Sequence, residues 1–572
     1  MVGFKARPQP EVSGLRTFTL TVMGTTDLHG NLFNWDYYLD REFDDFAHND
    51  VGLAKISTLV HGVRDEVGRH RTLLLDAGDT IQGTPLAYYY AKVEPITTRT
   101  HVHPMAAAMN AIGYTAAALG NHEFNYGLEV LRTFERQLDF PLLAANALDV
   151  ATGLPAFAPY VIKTVWRTGG PPLRVGILGL TNPGIAVWDR AVVEGVLTFP
   201  GLVEHALHWV PEVRSKSDLV IVAAHSGADL SSSLGDQVPF PENCAELLAE
   251  TVPGIDAVLV GHAHVEIPQR IVTNKVTGRP VLLTEPLYWG KRLSLMEFDL
   301  RFSERWELVS SRSSVLSSAS VSEDPRIVRL LTHDHSKVVS YVNGRIGTCL
   351  GAMSAARSRF EDTPALGFIN HVQALEVSKS TSLPVVSLCA PFNRAAAIPA
   401  GEVSIRDVAG LYIFDNTLMG VRMTGAELRD FLEESASYFR QVSGPGPFTA
   451  AEVSADVPDY NFDIAYGLSA PLTYDIDISK PVGSRIVGLA YDGEPVPDSF
   501  EFAVAVNNYR QAGGGDFPHI ASAPVLHNQQ QEIRQLLIEW VRSAGVLDPA
   551  AFVRSDWRLV SGGVPVMVTT NG

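Results

Sequence analysis

The sequence Gly120-Asn121-His122-Glu123-Phe124-Asn125-Tyr126-Gly127 follows a short apolar run, Ala116-Ala117-Ala118-Leu119, which predicts the end of a buried strand. An amide, an imidazole and a carboxylate come in immediate succession, and a glycine stands at each end. A single histidine after a strand is usually an ordinary surface or core residue. This one has counterparts elsewhere in the chain, and together they indicate a functional site.

Four other apolar runs end in the same way. Most are short, nearly continuous in apolar residues and rich in Val, Leu or Ile, which is typical of strands buried on both faces. The runs and their following loops are residues 17–23 with 24–31, 72–75 with 76–79, 219–222 with 223–227, and 257–260 with 261–264. Ligands in such sheets gather beyond the carboxyl ends of the strands. We therefore expect one crevice to hold Asp27, His29, Asp79, Asn121, His122, His225, His262 and His264.

Length and charge limit the class of protein. A chain of 572 residues is long enough for two to four domains. The formal charge of −18 argues against a nucleic-acid polymer or an anionic membrane surface as partner, because both need positive faces. A small phosphorylated ligand remains compatible, since a bound metal inverts the local field.

The cysteines and the N-terminal segment say little about targeting. Cys244, Cys349 and Cys389 are widely separated, so we interpret them as structural thiols without a disulfide framework. Residues 1–16 contain no apolar core of a signal peptide, which predicts a cytoplasmic protein. The alternative is an exported protein whose leader is missing from this sequence. Residues 104–119 are alanine-rich and predict a buried helix that leads into a strand, not a membrane span.

The pattern changes along the chain. Up to about residue 302, short apolar strands alternate with helical segments such as 51–67, which predicts an α/β layered domain. Residues 35–50 form a polar, aromatic insertion that we expect to border the crevice. The serine-rich segment 310–322 predicts a connector, and Asp324-Pro325 begins a helix between two domains. The second half contains no metal-like cluster and predicts a specificity domain.

The residue types favour a metal centre. Imidazole, carboxylate and amide oxygen suit Zn²⁺, Mn²⁺ or Fe²⁺. There are too many candidate ligands for one ion, and Asp79 is the natural bridge between two. Two ions clamp the attacking and leaving oxygens of an in-line displacement. Only Asp27 and Asp79 carry negative charge among these ligands, so the loaded site would stay positive and attract a phosphate ester.

The ordered motifs DLHGN, DAGD, GNHEF, AHSG and GHAH resemble those of the calcineurin-like metallophosphoesterases, and more narrowly those of the 5′-nucleotidase family. The resemblance implies an α/β fold, with a four-layer α/β/β/α domain in residues 1–320, a linker helix in 321–345 and an α+β substrate-binding domain in 346–572. It also implies two divalent ions, of Mn, Zn, Fe, Mg or Co. One ion would take Asp27, His29, Asp79 and His264; the other would take Asp79, Asn121, His225 and His262.

The resemblance further implies that His122 is the catalytic histidine, which stabilises the transition state at the phosphate. In 5′-nucleotidases the motif usually ends in an aspartate that orients this histidine, whereas here that position is Asn125. An amide holds an imidazole by hydrogen bonding but does not stabilise an imidazolium electrostatically. The NHEFNYG form is similar to the 2′,3′-cyclic-nucleotide 2′-phosphodiesterase/3′-nucleotidase branch, as are residues 36–38, 460–463 and 507–510.

In that branch two aromatic rings sandwich the base, and Tyr460 and Tyr509 match their positions. Stacking on aromatic faces tolerates any base. Asn393 and Arg394 loosely match a loop that contacts the nucleotide in relatives. Asp516 follows three glycines and is a candidate acceptor for a ribose hydroxyl.

The resulting hypothesis is a metal-dependent hydrolase of 2′,3′-cyclic nucleotides and 3′-nucleotides that acts as a monomer or homodimer. One alternative is a 5′-nucleotidase or nucleotide-sugar hydrolase with the same dinuclear site. Another, from a different class, is a non-catalytic nucleotide-binding protein. The complete motifs argue against the last, because a retired site usually loses a ligand.

Overall fold

The computed structural model describes residues 17–98, 101–166, 171–230, 239–414 and 416–569. The chain divides into two compact units. The first unit comprises Met1–Asp36 and Arg41–Val338, and the second comprises Tyr37–Asp40 and Val339–Gly572. No helix in the described part of the chain combines the length and the apolar composition that crossing a bilayer requires.

The described part of the first unit contains two large sheets and the helices that cover them. Its strands are β1 (Thr17–Thr25), β2 (Thr72–Asp76), β3 (Ala116–Ala118), β4 (Leu142–Leu143), β5 (Leu148–Asp149), β6 (Tyr160–Val165), β7 (Leu173–Leu180), β8 (Leu197–Thr198), β9 (Leu219–Ala224), β10 (Ala257–Val260), β11 (Glu266–Thr273), β12 (Pro280–Pro286), β13 (Arg292–Phe302) and β14 (Trp306–Ser317). Its helices are α1 (Leu53–Val67), α2 (Pro85–Tyr88), α3 (Pro104–Ile112), α4 (Leu128–Gln137), α5 (Ile185–Trp188), α6 (Arg190–Val193), α7 (Leu202–Lys216) and α8 (Ala245–Thr251).

The five strands that precede the candidate site divide between these two sheets. One sheet has the order β14-β13-β1-β2-β3-β4, and the other has the order β11-β12-β10-β9-β7-β6. The strands β1 to β4 run parallel in the first, and β7, β9, β10 and β12 run parallel in the second. The loops after β1, β2, β3, β9 and β10 therefore leave the carboxyl ends of parallel strands.

The two sheets pack face to face through one apolar core. Leu20, Val22 and Leu75 from the first sheet share this core with Ile221 and Leu259 from the second. A second core lies between the outer face of the second sheet and the helices α7 and α8. Helix α1 packs against α3 and contacts β13 of the first sheet. The strands β9 and β10 are buried along their whole length, as their continuous apolar sequences predict.

The prediction of a serine-rich connector in residues 310–322 is wrong. Most of this segment belongs to β14, which pairs antiparallel with β13 from Arg292↔Ser317 to Phe302↔Trp306. The strand β14 lies at the edge of its sheet, where main-chain hydrogen bonds to one neighbour hold it and many of its side chains are exposed. An exposed edge strand needs no apolar alternation, so its composition resembles that of a loop.

Helix α9 (Pro325–Val342) follows, and the boundary between the two units falls within it. The strands of the second unit are β15 (Arg345–Cys349), β16 (Met353–Ser354), β17 (Val385–Cys389), β18 (Ala397–Ile398), β19 (Gly401–Ser404), β20 (Thr417–Thr424), β21 (Phe448–Thr449), β22 (Ile464–Gly467), β23 (Leu472–Asp477), β24 (Ile486–Tyr491), β25 (Glu494–Pro495), β26 (Glu501–Asn507), β27 (Val525–Glu532), β28 (Val546–Leu547), β29 (Trp557–Ser561), β30 (Val564–Pro565) and β31 (Val568–Thr569). Its helices are α10 (Pro364–Val377), α11 (Ile405–Ala409), α12 (Gly425–Ala436), α13 (Ala450–Val453), α14 (Asn508–Gln511) and α15 (Ile533–Ala544).

One sheet of the second unit brings four candidate binding residues to a single edge, the one formed by the carboxyl ends of β17 and β26. Its order is β22-β17-β26-β20-β27, with β26 parallel and β22 antiparallel to β17. The chain leaving β17 leads to Asn393 and Arg394, and the chain leaving β26 leads to Tyr509. Because β22 runs in the opposite direction, Tyr460, which precedes it, lies at the same edge.

Candidate metal centre and substrate-binding residues

The first candidate ligand group consists of Asp27, His29 and His264. The Nε2 atoms of His29 and His264 lie 3.2 Å apart, and the Nε2 atom of His264 lies 3.2 Å from Oδ1 of Asp27. That Oδ1 atom is buried and accepts no hydrogen bond from any described residue. The other oxygen, Oδ2, accepts hydrogen bonds from the Thr26 hydroxyl (2.6 Å) and the His262 main-chain N–H (3.0 Å). One carboxylate oxygen is thus fixed by the protein, and the other is left for a cation.

The second group consists of Asp79, His225 and His262, with the amide of Asn121 beside them. The Asn121 Oδ1 atom lies 3.1 Å from Nε2 of His225 and 3.0 Å from Nδ1 of His262. The Asp79 Oδ2 atom lies 3.0 Å from the same Nε2 of His225. Oxygen and nitrogen lone pairs therefore converge on one point, which is the donor set expected for a transition-metal ion.

Asp79 is a member of the second group and also approaches the first. Its Oδ2 atom, 3.0 Å from Nε2 of His225, is also 3.9 Å from Nε2 of His29 in the first group. Its Oδ1 atom accepts a hydrogen bond of 2.7 Å from the main-chain N–H of His122. This carboxylate is buried, and its Oδ2 atom faces ligand nitrogens of both groups.

Three of the histidines are oriented from behind by hydrogen-bond acceptors. His29 Nδ1 lies 3.1 Å from the carbonyl of Gln82, and His225 Nδ1 lies 2.8 Å from the carbonyl of Ala77. His262 Nε2 lies 2.9 Å from Oε1 of Glu242. Each outer nitrogen therefore donates, which leaves the inner nitrogen with its lone pair free for a metal.

The electrostatics of the site favour cations. Burial lowers the pKa of His29 to about 4, so its imidazole is neutral and ready to act as a ligand. Burial also opposes the charging of His225, but the carboxylate of Asp79 outweighs it and raises the pKa of His225 to about 10. Two buried carboxylates thus draw positive charge into the site. Divalent ions supply that charge more completely than a proton does.

The main chain at the centre is held in an uncommon conformation. Asp27, His29, Asp79, His262 and His264 all have left-handed φ values, between +47° and +79°. Such values are rare outside glycine and cluster at functional sites. The neighbouring turns depend on glycine, because a Cβ atom at position 78 would overlap the main chain of residue 120. The loops therefore approach one another closely enough to aim all five side chains inward.

His122 lies beside the centre, half-buried, and its ring is 5.2 Å from that of His29. Its Nδ1 atom lies 2.6 Å from Oδ1 of Asn125. The Asn125 Nδ2 atom in turn donates to Oδ1 of Asp189 across 2.7 Å. Asp189 is fully buried, and burial raises its pKa to about 7.

Sequence reasoning missed Asp189, Glu242 and Tyr288. Asp189 follows the loop after β7, a strand end that carries no histidine or aspartate of its own. Glu242 precedes α8 in a loop that shows no motif. The Tyr288 ring stacks on that of His264 at 4.6 Å, and it follows β12. The available signal was that β7 and β12 also run parallel to the site strands, so their loops leave the same edge.

In the second unit, Tyr460 and Tyr509 expose 40% and 46% of their surfaces. The buried Arg510 holds both segments, since it donates to the carbonyls of Tyr460 and Gly514, each across 2.6 Å. A Cβ atom at position 514 would overlap the Tyr509 ring, so this glycine lets the ring lie against the loop. Arg510 also forms a buried ion pair with Asp463, with Nε 2.8 Å from Oδ2.

The other candidate binding residues differ in their contacts. The Asn393 amide donates to the carbonyl of Gly410 (2.8 Å) and accepts from the main chain of Ala395 (3.1 Å), so it shapes its own loop. Arg394 is half-exposed and lies 2.8 Å from Asp459, the residue before Tyr460. Asp516 is exposed and has a φ of +57°.

Comparison with known proteins assigns the family. Residues 20–266 match the calcineurin-like phosphoesterase family, and residues 342–522 match the 5′-nucleotidase C-terminal domain. The chain is 33% identical to the 2′,3′-cyclic-nucleotide 2′-phosphodiesterase/3′-nucleotidase of Salmonella typhimurium, over 95% of this chain and 89% of that protein. It is 32% identical to the trifunctional nucleotide phosphoesterase protein YfkN of Bacillus subtilis, over 95% of this chain but only 39% of the relative. The crystal structure of a 5′-nucleotidase precursor from Thermus thermophilus shares the fold, with a TM-score of 0.56 and 23% identity over 95% of this chain and 99% of that one.

The fold and these matches place the chain among the calcineurin-like phosphoesterases, which are metal-dependent hydrolases of phosphoric esters. It belongs to those members that also carry a 5′-nucleotidase C-terminal domain, the 5′-nucleotidase family. The resemblance drawn from the five motifs is therefore confirmed, as are the fold class and the class of enzyme. The family implies divalent metals, and the described structure fits them through its convergent lone pairs and through the buried Asp27 oxygen that accepts no hydrogen bond.

Proposed function

We propose that this enzyme uses two divalent metal ions to hydrolyse 2′,3′-cyclic nucleotides and 3′-nucleotides, releasing nucleoside and phosphate. The observation that carries the two-metal proposal is the position of Asp79, whose Oδ2 atom approaches the ligand nitrogens of both groups. One ion is assigned to Asp27, His29, Asp79 and His264, and the other to Asp79, Asn121, His225 and His262. When bound, such ions neutralise charge on phosphoryl oxygens and acidify water.

The residues of the chain have distinct tasks in this proposal. His122 is placed by two contacts, its main-chain N–H on Asp79 and its Nδ1 on Asn125. These contacts leave Nε2 to interact with a phosphoryl or leaving-group oxygen. Since His122 is only half-buried, a substrate can reach it. A positioned acid–base group of this kind contributes about 10²–10⁴-fold to the rate.

The second unit supplies the residues that we assign to the nucleoside. Tyr460 and Tyr509 are exposed aromatic rings at one edge of the sheet, each carried by a segment that Arg510 fixes. Base stacking on such rings contributes about 1–3 kcal/mol per base and depends little on which base is present. Arg394, tied to the Tyr460 segment through Asp459, is our candidate for a polar contact with the nucleotide. Asp516 is the candidate acceptor for a ribose hydroxyl.

The choice of branch rests on two supports. The first is Asn125, which stands where 5′-nucleotidases usually have aspartate. The second is the Salmonella relative, which aligns over 89% of its own length and is named a 2′,3′-cyclic-nucleotide 2′-phosphodiesterase/3′-nucleotidase. The test is a turnover panel of 2′,3′-cyclic AMP, 3′-AMP, 5′-AMP and a nucleotide sugar, with Mn²⁺ added to the purified enzyme. We expect the first two substrates to give the highest kcat/KM. A preference for 5′-AMP or the nucleotide sugar would contradict the assignment to this branch, but it would be consistent with the proposed metal centre. Metal binding without turnover of any substrate would indicate a nucleotide-binding protein.

A further inference from the structure

Asp189 stands one hydrogen bond behind the residue that holds the proposed catalytic histidine. Its Oδ1 atom accepts from Asn125 Nδ2 at 2.7 Å, and Asn125 Oδ1 lies 2.6 Å from Nδ1 of His122. Asp189 is fully buried, and its Oδ2 atom has no hydrogen-bond partner among the described residues. A buried carboxylate is costly unless it is paired, so its presence calls for an explanation.

The direction of these hydrogen bonds follows from the chemistry of the three groups. Oδ1 of Asp189 accepts a hydrogen bond when the carboxyl is ionised and also when its proton lies on Oδ2, so it selects the NH₂ end of the Asn125 amide. The carbonyl end of that amide must then face His122. A carbonyl oxygen only accepts as well, so Nδ1 of His122 must carry a hydrogen. Without Asp189 the amide is free to rotate by half a turn, which would present NH₂ to Nδ1 and favour the opposite tautomer.

We propose that Asp189 is a positioning residue for catalysis, which acts through Asn125 to fix the proton of His122 on Nδ1. This inference rests on the proposed role of His122 in phosphoester hydrolysis. It accounts for the amide in the NHEFN motif, since the orienting carboxylate lies one residue further from the imidazole. The hydrogen-bonded series is then His122, Asn125 and Asp189, and only the last member has a carboxyl group.

The geometry also argues against a purely structural role. Asp189 separates α5 from α6, and its main-chain groups make the helical bonds there, from its N–H to Ile185 and from its carbonyl to the N–H groups of Val192 and Val193. Those bonds do not need a carboxylate side chain. The side chain has one hydrogen bond in the described structure, and that bond leads to Asn125.

The test exchanges the order of the amide and the carboxylate. Asp189→Asn gives residue 189 both a donor and an acceptor, so it no longer selects one orientation of the Asn125 amide, and we expect kcat to fall at least tenfold while KM changes less than threefold. Asn125→Asp places two carboxylates at hydrogen-bond distance, and we expect a similar loss. The double variant Asn125→Asp/Asp189→Asn restores one carboxylate and one amide in reversed order. We expect it to regain activity to within about threefold of the parent.

A role confined to folding would not produce this pattern, because a change at position 125 would not repair damage at 189. Asp189→Asn with kcat within twofold of the parent, or a double variant no more active than Asp189→Asn, would overturn the proposal. Glu194→Gln is the matched control, because it removes an exposed carboxylate that follows α6 and pairs with Arg190. Metal content and melting temperature are measured for each variant.

A readout without turnover separates this inference from the proposed function. In ¹⁵N-histidine-labelled enzyme, the ring shifts of His122, assigned with His122→Gln, report which nitrogen carries the proton. We expect the Nδ1–H form in the parent and a shift toward the Nε2–H form in Asp189→Asn. Unchanged shifts would refute the positioning role even in an active enzyme. The expected change in an enzyme that hydrolyses no nucleotide would leave the positioning role intact and refute the substrate instead.

Discussion

The guanidinium of Arg510 donates through Nη2 to the main-chain carbonyl of Tyr460 across 2.6 Å. Arg510 is itself the residue after Tyr509, so one buried side chain holds both exposed rings. Its Nε atom pairs with Asp463, and its Cζ atom lies 4.0 Å from the ring of Phe517. A planar fork with five donors suits this task, and lysine does not supply it.

We therefore expect Arg510→Lys to disturb both rings together. The loss in kcat/KM for 3′-AMP should be about 1–3 kcal/mol, the contribution of base stacking. Hydrolysis of a small aryl phosphate, which has no base to stack, should change little. Arg422→Lys is the control, because that arginine is half-exposed in the same sheet. Equal losses on both substrates would show that Arg510 only supports the fold.

Removal of one ring should have a similar but simpler effect. Tyr509→Ala should cost about 1–3 kcal/mol in kcat/KM for nucleotides, and almost nothing for the aryl phosphate. The loss can appear in kcat as well as in KM, because remote binding energy also positions the phosphate. Trp166→Ala, which removes a ring that is 72% exposed in the first unit, is the control. If the aryl phosphate loses as much as the nucleotide, Tyr509 does not bind the base.

Asp79→Asn tests the shared ligand. Loss of its charge removes half of the negative charge among the proposed ligands, so we expect at least one ion to be lost and turnover to be abolished. Metal content is measured by elemental analysis and the fold by circular dichroism. Asp139→Asn, which neutralises an exposed carboxylate in the same unit, should keep both metals and activity. A fully loaded and active Asp79→Asn enzyme would rule out the shared role.

Glu242→Gln tests the orientation of His262 from behind. The carboxylate accepts from Nε2 at 2.9 Å and thereby keeps Nδ1 free to bind metal. We expect metal affinity to weaken about 10–100-fold, the usual effect of losing such a partner. Competition with a chelator measures this in the apo-enzyme without any substrate. Glu246→Gln, at an exposed position in α8, is the control; an unchanged affinity in Glu242→Gln would contradict the assignment.

Asp556 predicts a pH dependence of stability. It is buried in the second unit, neither of its carboxylate oxygens is paired with a described residue, and burial together with the nearby Asp362 raises its pKa to about 7. The folded pKa lies above the unfolded value, so the stability that the proton confers is fully present below about pH 4 and is lost as the pH rises through about 7. As the pH rises from 5 to 8, we expect the free energy of unfolding of Asp556→Asn to increase by about 1–3 kcal/mol relative to that of the parent. This range allows for screening near the surface.

Thermal melts of parent and variant at both pH values provide the measurement. The difference in melting temperature between variant and parent should be larger at pH 8 than at pH 5. Asp498→Asn, which neutralises an exposed carboxylate in the same unit, should show no such dependence on pH. A constant difference between parent and variant across the pH range would mean that Asp556 titrates normally.

The convergence of the site loops was predictable from sequence because two physical constraints act on the same residues. Parallel strands buried on both faces need continuous apolar runs, and their carboxyl ends share an edge. Asp27, Asp79 and His225 each lie within four residues of the end of such a run. The division of these strands between two sheets is not encoded in any one run, because it depends on long-range pairing such as that of β1 with β13.

Other parts of the site left no comparable trace in the sequence. Asp189, Glu242 and Tyr288 contact the side chains of other candidate site residues, and no motif in the sequence marks them. These contacts become visible only as distances. The prediction for the serine-rich segment that forms β14 was wrong for a different reason. An edge strand is stabilised by main-chain hydrogen bonds and does not require an apolar pattern.

The left-handed main chain at Asp27, His29, Asp79, His262 and His264 implies that this centre opposes the thermal stability of the unit that contains it. The three histidines cost about 1–2 kcal/mol each in this conformation, and the two aspartates cost less. The cost persists only because the surrounding strands and turns over-determine the conformation. Glycine at one of these positions would relieve it, at the expense of a ligand. Relatives that have lost catalytic activity should therefore accumulate glycine at these positions and have higher melting temperatures. A relative that combines an incomplete ligand motif with higher thermal stability would indicate an enzyme that has lost its activity.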